Sequence, residues 1–187
     1  RLSELTKSIP KPMVKISNKP IIFHIMNHYS KFGIKDFIIA AGYKKEIISN
    51  YFKNKIKDWN VKIVDTGLNT MTGGRLKRLE KYINKNESFM FTYGDGVSNV
   101  NIKKLLNFHI REKKILTVTA VHPPARFGEI VLKKSLVKSF KEKPQVKNGW
   151  INGGFFVSNY KFFRFIKKDK DILEKKPLEN LCKKGVH

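Results

Sequence analysis

From residue 36 to residue 121 the chain alternates between two patterns, and that alternation restricts the fold most. Asp36–Ala41 (DFIIAA), Val61–Val64, Phe89–Tyr93 and Ile115–Val121 are short apolar or β-branched runs of strand length. Between them lie Lys45–Phe52, Arg75–Ile83 and Asn101–Glu112, where apolar residues recur at helical spacing. In Asn101–Glu112 this spacing turns Ile102, Leu105, Leu106 and Phe108 inward. Strands that alternate with helices predict a parallel sheet in an α/β fold. The 187 residues suffice for one domain with a sizeable core, so 1–187 is expected to form a single domain.

The flanking segments are simpler. Arg1–Pro12 reads as a loop, Met13–Ile16 as a short strand, and Ile22, Ile25, Met26 and Tyr29 as the inner face of a helix stopped at Gly33. After His122 the character changes. Gly128–Leu132 and Leu136–Lys141 flank a Lys-Lys-Ser turn and predict an antiparallel hairpin. Trp150–Val157 reads as a strand interrupted by Gly153-Gly154, which marks a bulge or a close approach by a ligand. Tyr160–Ile166 and Pro177–Lys184 look helical.

The net charge of +24 raises nucleic acid as a partner. The basic residues are mostly Lys, however, and they occur as scattered pairs such as Lys44-Lys45 and Lys183-Lys184. Base reading leans on Arg, and backbone tracking on a contiguous patch. Nucleic acid is therefore not the expected partner, whereas small polyanions suit the charge. No apolar run is long enough to span a membrane, and no signal peptide is visible. Cys182 is the sole cysteine, which leaves no disulfide framework or zinc cluster and fits a cytoplasmic setting. The five histidines show no ligand spacing and read as surface or helix residues. No catalytic triad is evident.

Three motifs carry chemistry. Phe89–Tyr93 reads as a fully buried strand and ends at Gly94-Asp95-Gly96. Ligands bind at the C-terminal ends of strands in open α/β sheets, so Asp95 is equally read as a solvated turn residue or a Mg²⁺ ligand. Lys11 stands between Pro10 and Pro12, with Pro12 restricting it to extended conformations. It is either aimed at a ligand or an ordinary surface lysine. Thr72-Gly73-Gly74 opens a helix bearing Arg75, Lys77 and Arg78. Its backbone N–H groups suit an anion or a carbonyl-type acceptor, or the stretch is a glycine turn before a solvated basic helix.

Taken together, Pro10–Met13, Val64–Gly67 (VDTG), Met71–Arg78 (MTGGRLKR), Phe91–Val97 (FTYGDGV), Arg126–Gly128, Glu142–Pro144 (EKP) and Ile151–Val157 (INGGFFV) resemble the sugar-1-phosphate nucleotidyltransferases. MTGGRLKR with FTYGDG is similar to the cytidylyl branch. Arg1-Leu2 resembles the tail of that family's glycine-rich loop. The resemblance implies a Rossmann-like, GT-A-like three-layer fold with a mostly parallel mixed sheet. It implies Mg²⁺-dependent transfer of a cytidylyl group from CTP to glucose 1-phosphate, giving CDP-glucose and pyrophosphate, for deoxysugar or surface-polysaccharide synthesis. It also implies a homo-oligomer. Another nucleotide or sugar phosphate, or an inactive homologue with a binding role, are the alternatives.

Carried over by position, the resemblance makes Arg1 and Lys11 the catalytic cations on the triphosphate, with Thr70, Arg75 and Gly94 also against the nucleotide. Asp95 becomes the metal ligand, and Glu142, Lys143, Asn152 and Gly153 line the sugar-phosphate pocket. The chain starts at Arg1 and ends at His187, and both ends are expected to be cut short. The family's first strand, its glycine-rich loop and a second metal-binding Asp would lie outside it. The segment near Asn54-Lys55 is shorter than in relatives.

Overall fold

The computed structural model describes residues 8–54, 56–123, 129–141 and 149–183. The chain divides into two compact units, residues 1–117 with 156–187 and residues 118–155.

In the larger unit, Lys11–Met13 form a single 3-10 turn, closed by Met13 N–H donating to Pro10 C=O at 2.8 Å. This corrects the expectation that Lys11 is extended. Pro12 is tolerated within the first helical turn, where the N–H it lacks would have no partner. Strands β1 (Lys15–Ile16) and β2 (Lys19–Pro20) follow as a small antiparallel pair, then helix α1 (Ile21–Ser30). Strand β3 (Asp36–Ala41), helix α2 (Lys45–Phe52) and strand β4 (Asn60–Asp65) form a βαβ unit, its two strands parallel from Asp36↔Asn60 to Ala41↔Asp65. Met13, Ile22, Met26, Ala41, Ile48 and Trp59 make one core cluster around it.

Helix α3 (Thr72–Arg78) and a 3-10 turn (Glu80–Tyr82) lead to strand β5 (Phe89–Thr92), helix α4 (Ile102–Glu112) and strand β6 (Leu116–Val121). Strand β9 (Ile151–Ser158) begins within the second unit's residues and ends in the larger unit, and a 3-10 helix (Tyr160–Phe165) and helix α5 (Lys176–Lys183) follow it. Strands β5, β9 and β6 are hydrogen-bonded neighbours in that order. A second core cluster holds Leu76, Leu116, Phe156, Phe162, Phe163, Ile166, Leu173 and Leu181. Phe91 stacks on Phe156 at 4.6 Å between ring centroids and Phe89 on Phe163 at 5.3 Å. Full burial of a ring, as at Phe156 and Phe163, stabilises by about 2 kcal/mol.

Three expectations change. Among the described residues, β3-β4 and β5-β9-β6 are separate hydrogen-bonded groups, not one mixed sheet. For the same reason β5 is half-buried along its whole length where the sequence predicts full burial: among the described residues it has a paired neighbour on one side only. In α4, Phe108 is exposed and His109 is buried, with Nδ1 2.9 Å from Thr117 Oγ1. The neighbouring hydroxyl gives the ring a polar partner, so the helix turns that face inward.

In the smaller unit, strands β7 (Glu129–Lys133) and β8 (Leu136–Lys141) form the expected antiparallel hairpin, with a bulge between Val131 and Leu132. No helix is long and apolar enough to cross a membrane among the described residues.

Candidate active site

In the larger unit the residues that stand out in the sequence are tied together by direct contacts. The Gly94-Asp95-Gly96 turn follows β5, and Gly94 lies against Pro12: a Cβ at Gly94 would stand 2.9 Å from Pro12 Cγ. Lys11 and Asp95, the chain neighbours of this contact, are both exposed, and Asp95 forms no hydrogen bond or ion pair with the described residues.

Arg75 points from the first turn of α3 to the C-terminal ends of β3 and β4. Its Nη1 donates to Thr66 Oγ1 at 2.7 Å and to Ala41 C=O at 3.2 Å, and its Nη2 to Leu68 C=O at 3.3 Å. The guanidinium lies against Gly42, where a Cβ would stand 2.8 Å from Cζ. Burial, and then the neighbouring Arg78, lower its pKa. Thr66 is fully buried and returns its own proton to Ala41 C=O at 2.7 Å. Gly67 turns the chain at φ +82, and a Cβ there would lie 3.0 Å from Thr70 Oγ1. Thr70 is buried, with no hydrogen bond to the described residues.

The N-terminus of α3 has taken carbonyl acceptors. Met71 N–H donates to Asp169 C=O at 2.9 Å, and Gly73 and Gly74 N–H donate to Asp171 C=O at 2.9 and 3.2 Å. Both glycines are needed for this approach, because a Cβ at Gly74 would sit 2.6 Å from Asp169 Cα and one at Gly73 2.7 Å from Asp171 O. Of the two ligand types the sequence suggests for this helix end, the chain itself supplies the carbonyl. Arg78 clamps the same segment through Nε and Nη2 to the two carboxylate oxygens of Asp169, at 3.0 and 2.5 Å. That pair holds the Asp169 carboxyl below the usual carboxylate range. Asp171 is likewise lowered, by the Lys167 and Lys168 N–H groups that donate to it.

Glu174 then joins two motifs. Thr72 Oγ1 donates to its Oε2 at 3.0 Å, and the Tyr93 hydroxyl donates to its Oε1. Lys44 Nζ reaches Ser8 C=O at 2.7 Å. A closed circuit of contacts and chain therefore runs from Pro12 through Gly94, Tyr93, Glu174, Thr72, Arg75, Gly42 and Lys44 back to Ser8. It passes through Arg75 and Gly94, and Lys11, Thr70 and Asp95 lie next to it along the chain.

In the smaller unit, Asn152 Oδ1 accepts from Gly154 N–H at 2.8 Å. A Cβ at Gly153 would meet Thr119 O at 2.9 Å, so the close approach at this glycine is made by the neighbouring strand. Arg1, Glu142 and Lys143 lie outside the described residues.

Sequence reasoning gave no role to Gly42 or to Thr66, which lies within VDTG, and missed Asp169, Asp171 and Glu174. One signal was present: three acidic residues fall within Asp169–Glu174 of a chain that has only 15. Asp95 suits a magnesium ion, because Mg²⁺ keeps several waters and takes one or two protein carboxylates beside substrate phosphates. A single uncommitted, exposed carboxylate with open space at Gly96 meets that demand. No cluster of three or more potential metal ligands occurs among the described residues.

A family model described as "Nucleotidyl transferase" matches residues 1–186. The chain is 44% identical to glucose-1-phosphate cytidylyltransferase of Salmonella typhimurium, over 99% of this chain and 80% of that protein. It is 36% identical to the probable glucose-1-phosphate cytidylyltransferase of Bacillus subtilis, over 99% and 81%. Among solved structures, HddC from Yersinia pseudotuberculosis superposes with a TM-score of 0.70 at 28% identity, covering 94% of this chain and 78% of that one.

Proposed function

The chain belongs to the nucleotidyl transferase family, and from that premise we propose that it transfers a cytidylyl group from CTP to glucose 1-phosphate, releasing pyrophosphate and forming CDP-glucose. The observation that carries this reading is the 44% identity to the Salmonella typhimurium enzyme across nearly the whole chain.

The phosphate of glucose 1-phosphate attacks the α-phosphorus of CTP in line, and pyrophosphate leaves from the opposite side. This nucleophile is ionised when it arrives, so the protein needs no general base and no nucleophile of its own. Its task is positioning and charge compensation. Lys11, together with Arg1, neutralises the triphosphate, and the Pro12–Gly94 contact supports that role by keeping Lys11 at the turn. Thr70 offers a hydroxyl with no hydrogen bond to the described residues. Arg75 acts on the nucleotide through the loop it braces, by holding Leu68 C=O and Thr66. Gly94 is proposed to lie against the nucleotide on the side not taken by Pro12. Asp95 would hold Mg²⁺, whose chemistry when bound is to neutralise charge on the phosphates. Glu142, Lys143, Asn152 and Gly153 are the proposed sugar-phosphate contacts.

A second reading takes a guanylyl donor and a heptose phosphate. It is favoured by 34% identity to the D-glycero-alpha-D-manno-heptose 1-phosphate guanylyltransferase of Campylobacter jejuni, over 98% of this chain. Pyrophosphate release with Mg²⁺, each nucleoside triphosphate and each sugar phosphate separates the two. Turnover with CTP and glucose 1-phosphate is expected; turnover with GTP alone would replace the first reading by the second.

A further inference from the structure

Glu174 lies between the 3-10 helix Tyr160–Phe165 and α5, far in sequence from every motif above. Its two carboxylate oxygens take two hydroxyl protons, from Thr72 and from Tyr93. An ionised carboxylate only accepts, so it holds both hydroxyls at once and sets the direction of each. Thr72 Oγ1 also accepts from Leu173 N–H at 2.9 Å, which leaves its proton to point at Glu174. The two hydroxyls belong to two different segments of the candidate site. Tyr93 immediately precedes Gly94 and Asp95, and Thr72 stands between Thr70 and Arg75. Glu174 is exposed, and exposed hydrogen-bonded charges contribute little to global stability. What this carboxylate decides is the spacing of the two loops it joins.

We propose that Glu174 is a positioning residue of the active site, holding the Gly94-Asp95-Gly96 turn in register with the Thr70–Arg75 loop through Tyr93 and Thr72. The proposal rests on the nucleotidyltransferase reading of those loops. Glu174 touches neither substrate nor the reacting phosphorus in this role; it acts through Asp95 and Thr70.

Glu174→Ala, Glu174→Gln and Tyr93→Phe test it, in the full protein. In Glu174→Ala we expect kcat to fall about tenfold or more, the scale of a displaced catalytic group. The Mg²⁺ concentration for half-maximal activity should rise with it, because Asp95 moves. The melting temperature should stay within a few degrees of the parent. Glu174→Gln can still accept one hydroxyl proton and donate to the other oxygen, so it should recover most of both losses. In a Tyr93→Phe background Glu174→Ala should add little, as for two members of one network. Amide exchange of residues 93–97 should quicken in Glu174→Ala. An unchanged Mg²⁺ dependence together with unchanged exchange at 93–97 would overturn the proposal. If the parent turns over no nucleoside triphosphate, the reaction reading fails, while the exchange comparison still decides whether Glu174 orders the turn.

Discussion

Pro12 and Gly94 are in contact across the site: no side chain fits at Gly94 without meeting the proline ring, 2.9 Å from where a Cβ would be. Two motifs that are 82 residues apart in sequence are thus one structural unit, with Lys11 on one side of the contact and Asp95 on the other.

Gly94→Ala should push the Lys11 turn away from Asp95. Stability changes little, since Pro12 is only half-buried and has room to shift. Displacement of a catalytic group by about 1 Å costs on the order of 100-fold in rate, and a drop of roughly 10- to 100-fold in kcat/KM is expected. Steady-state pyrophosphate release beside a thermal melt checks it; parent-like turnover contradicts the contact's role.

Gly74→Ala acts on stability instead. The new methyl meets the backbone of Asp169, not a flexible side-chain end, and overpacking of this kind costs about 1–3 kcal/mol. Chemical denaturation should show the loss, with faster amide exchange in 167–174 as the strap loosens. Gly96→Ala is the matched control, because nothing lies within 4 Å of a Cβ there.

Asp95→Asn should remove most turnover while the melting temperature holds. Its carboxylate is exposed and forms no hydrogen bond or ion pair with the described residues, so the fold gains little from its charge. Raising Mg²⁺ should restore part of the rate if Asp95 is the ligand. A variant as active as the parent at every Mg²⁺ concentration rules that role out.

His109 gives stability a pH dependence. Burial lowers its pKa below 6.5, so the unfolded chain binds this proton more readily than the fold does. Stability from this residue is fully present above about pH 6.5 and is lost as pH falls from there through the lower folded value. Unfolding free energies between pH 5 and 8 should rise with pH, and His109→Gln, which keeps a polar group for Thr117, should flatten the slope. An unchanged slope assigns the dependence to other groups.

Most elements of the fold were legible from periodicity. α2 spans Lys45–Phe52 as the apolar spacing indicates, β3 is Asp36–Ala41, and the β7–β8 hairpin brackets its Lys-rich turn. The chemistry-bearing motifs were legible as well, because glycine and proline punctuation marks strand ends and turns. The choice between Phe108 and His109 on α4 was not: both lie near the helix's apolar boundary, and Thr117 on the next strand decides it.

By itself the sequence determined the types of its local elements and the residue kinds at their ends, since backbone propensity and hydrophobic period act within a few residues. It left open what the helix end at Thr72-Gly73-Gly74 binds and what Arg75 touches. Only tertiary structure decided these. The carbonyls of Asp169 and Asp171, the carboxylate of Glu174 and the backbone of Ala41 come from segments between about 30 and 100 residues away. A hydrogen-bond acceptor at that separation is set by how the strands and their connections pack, which no local pattern encodes.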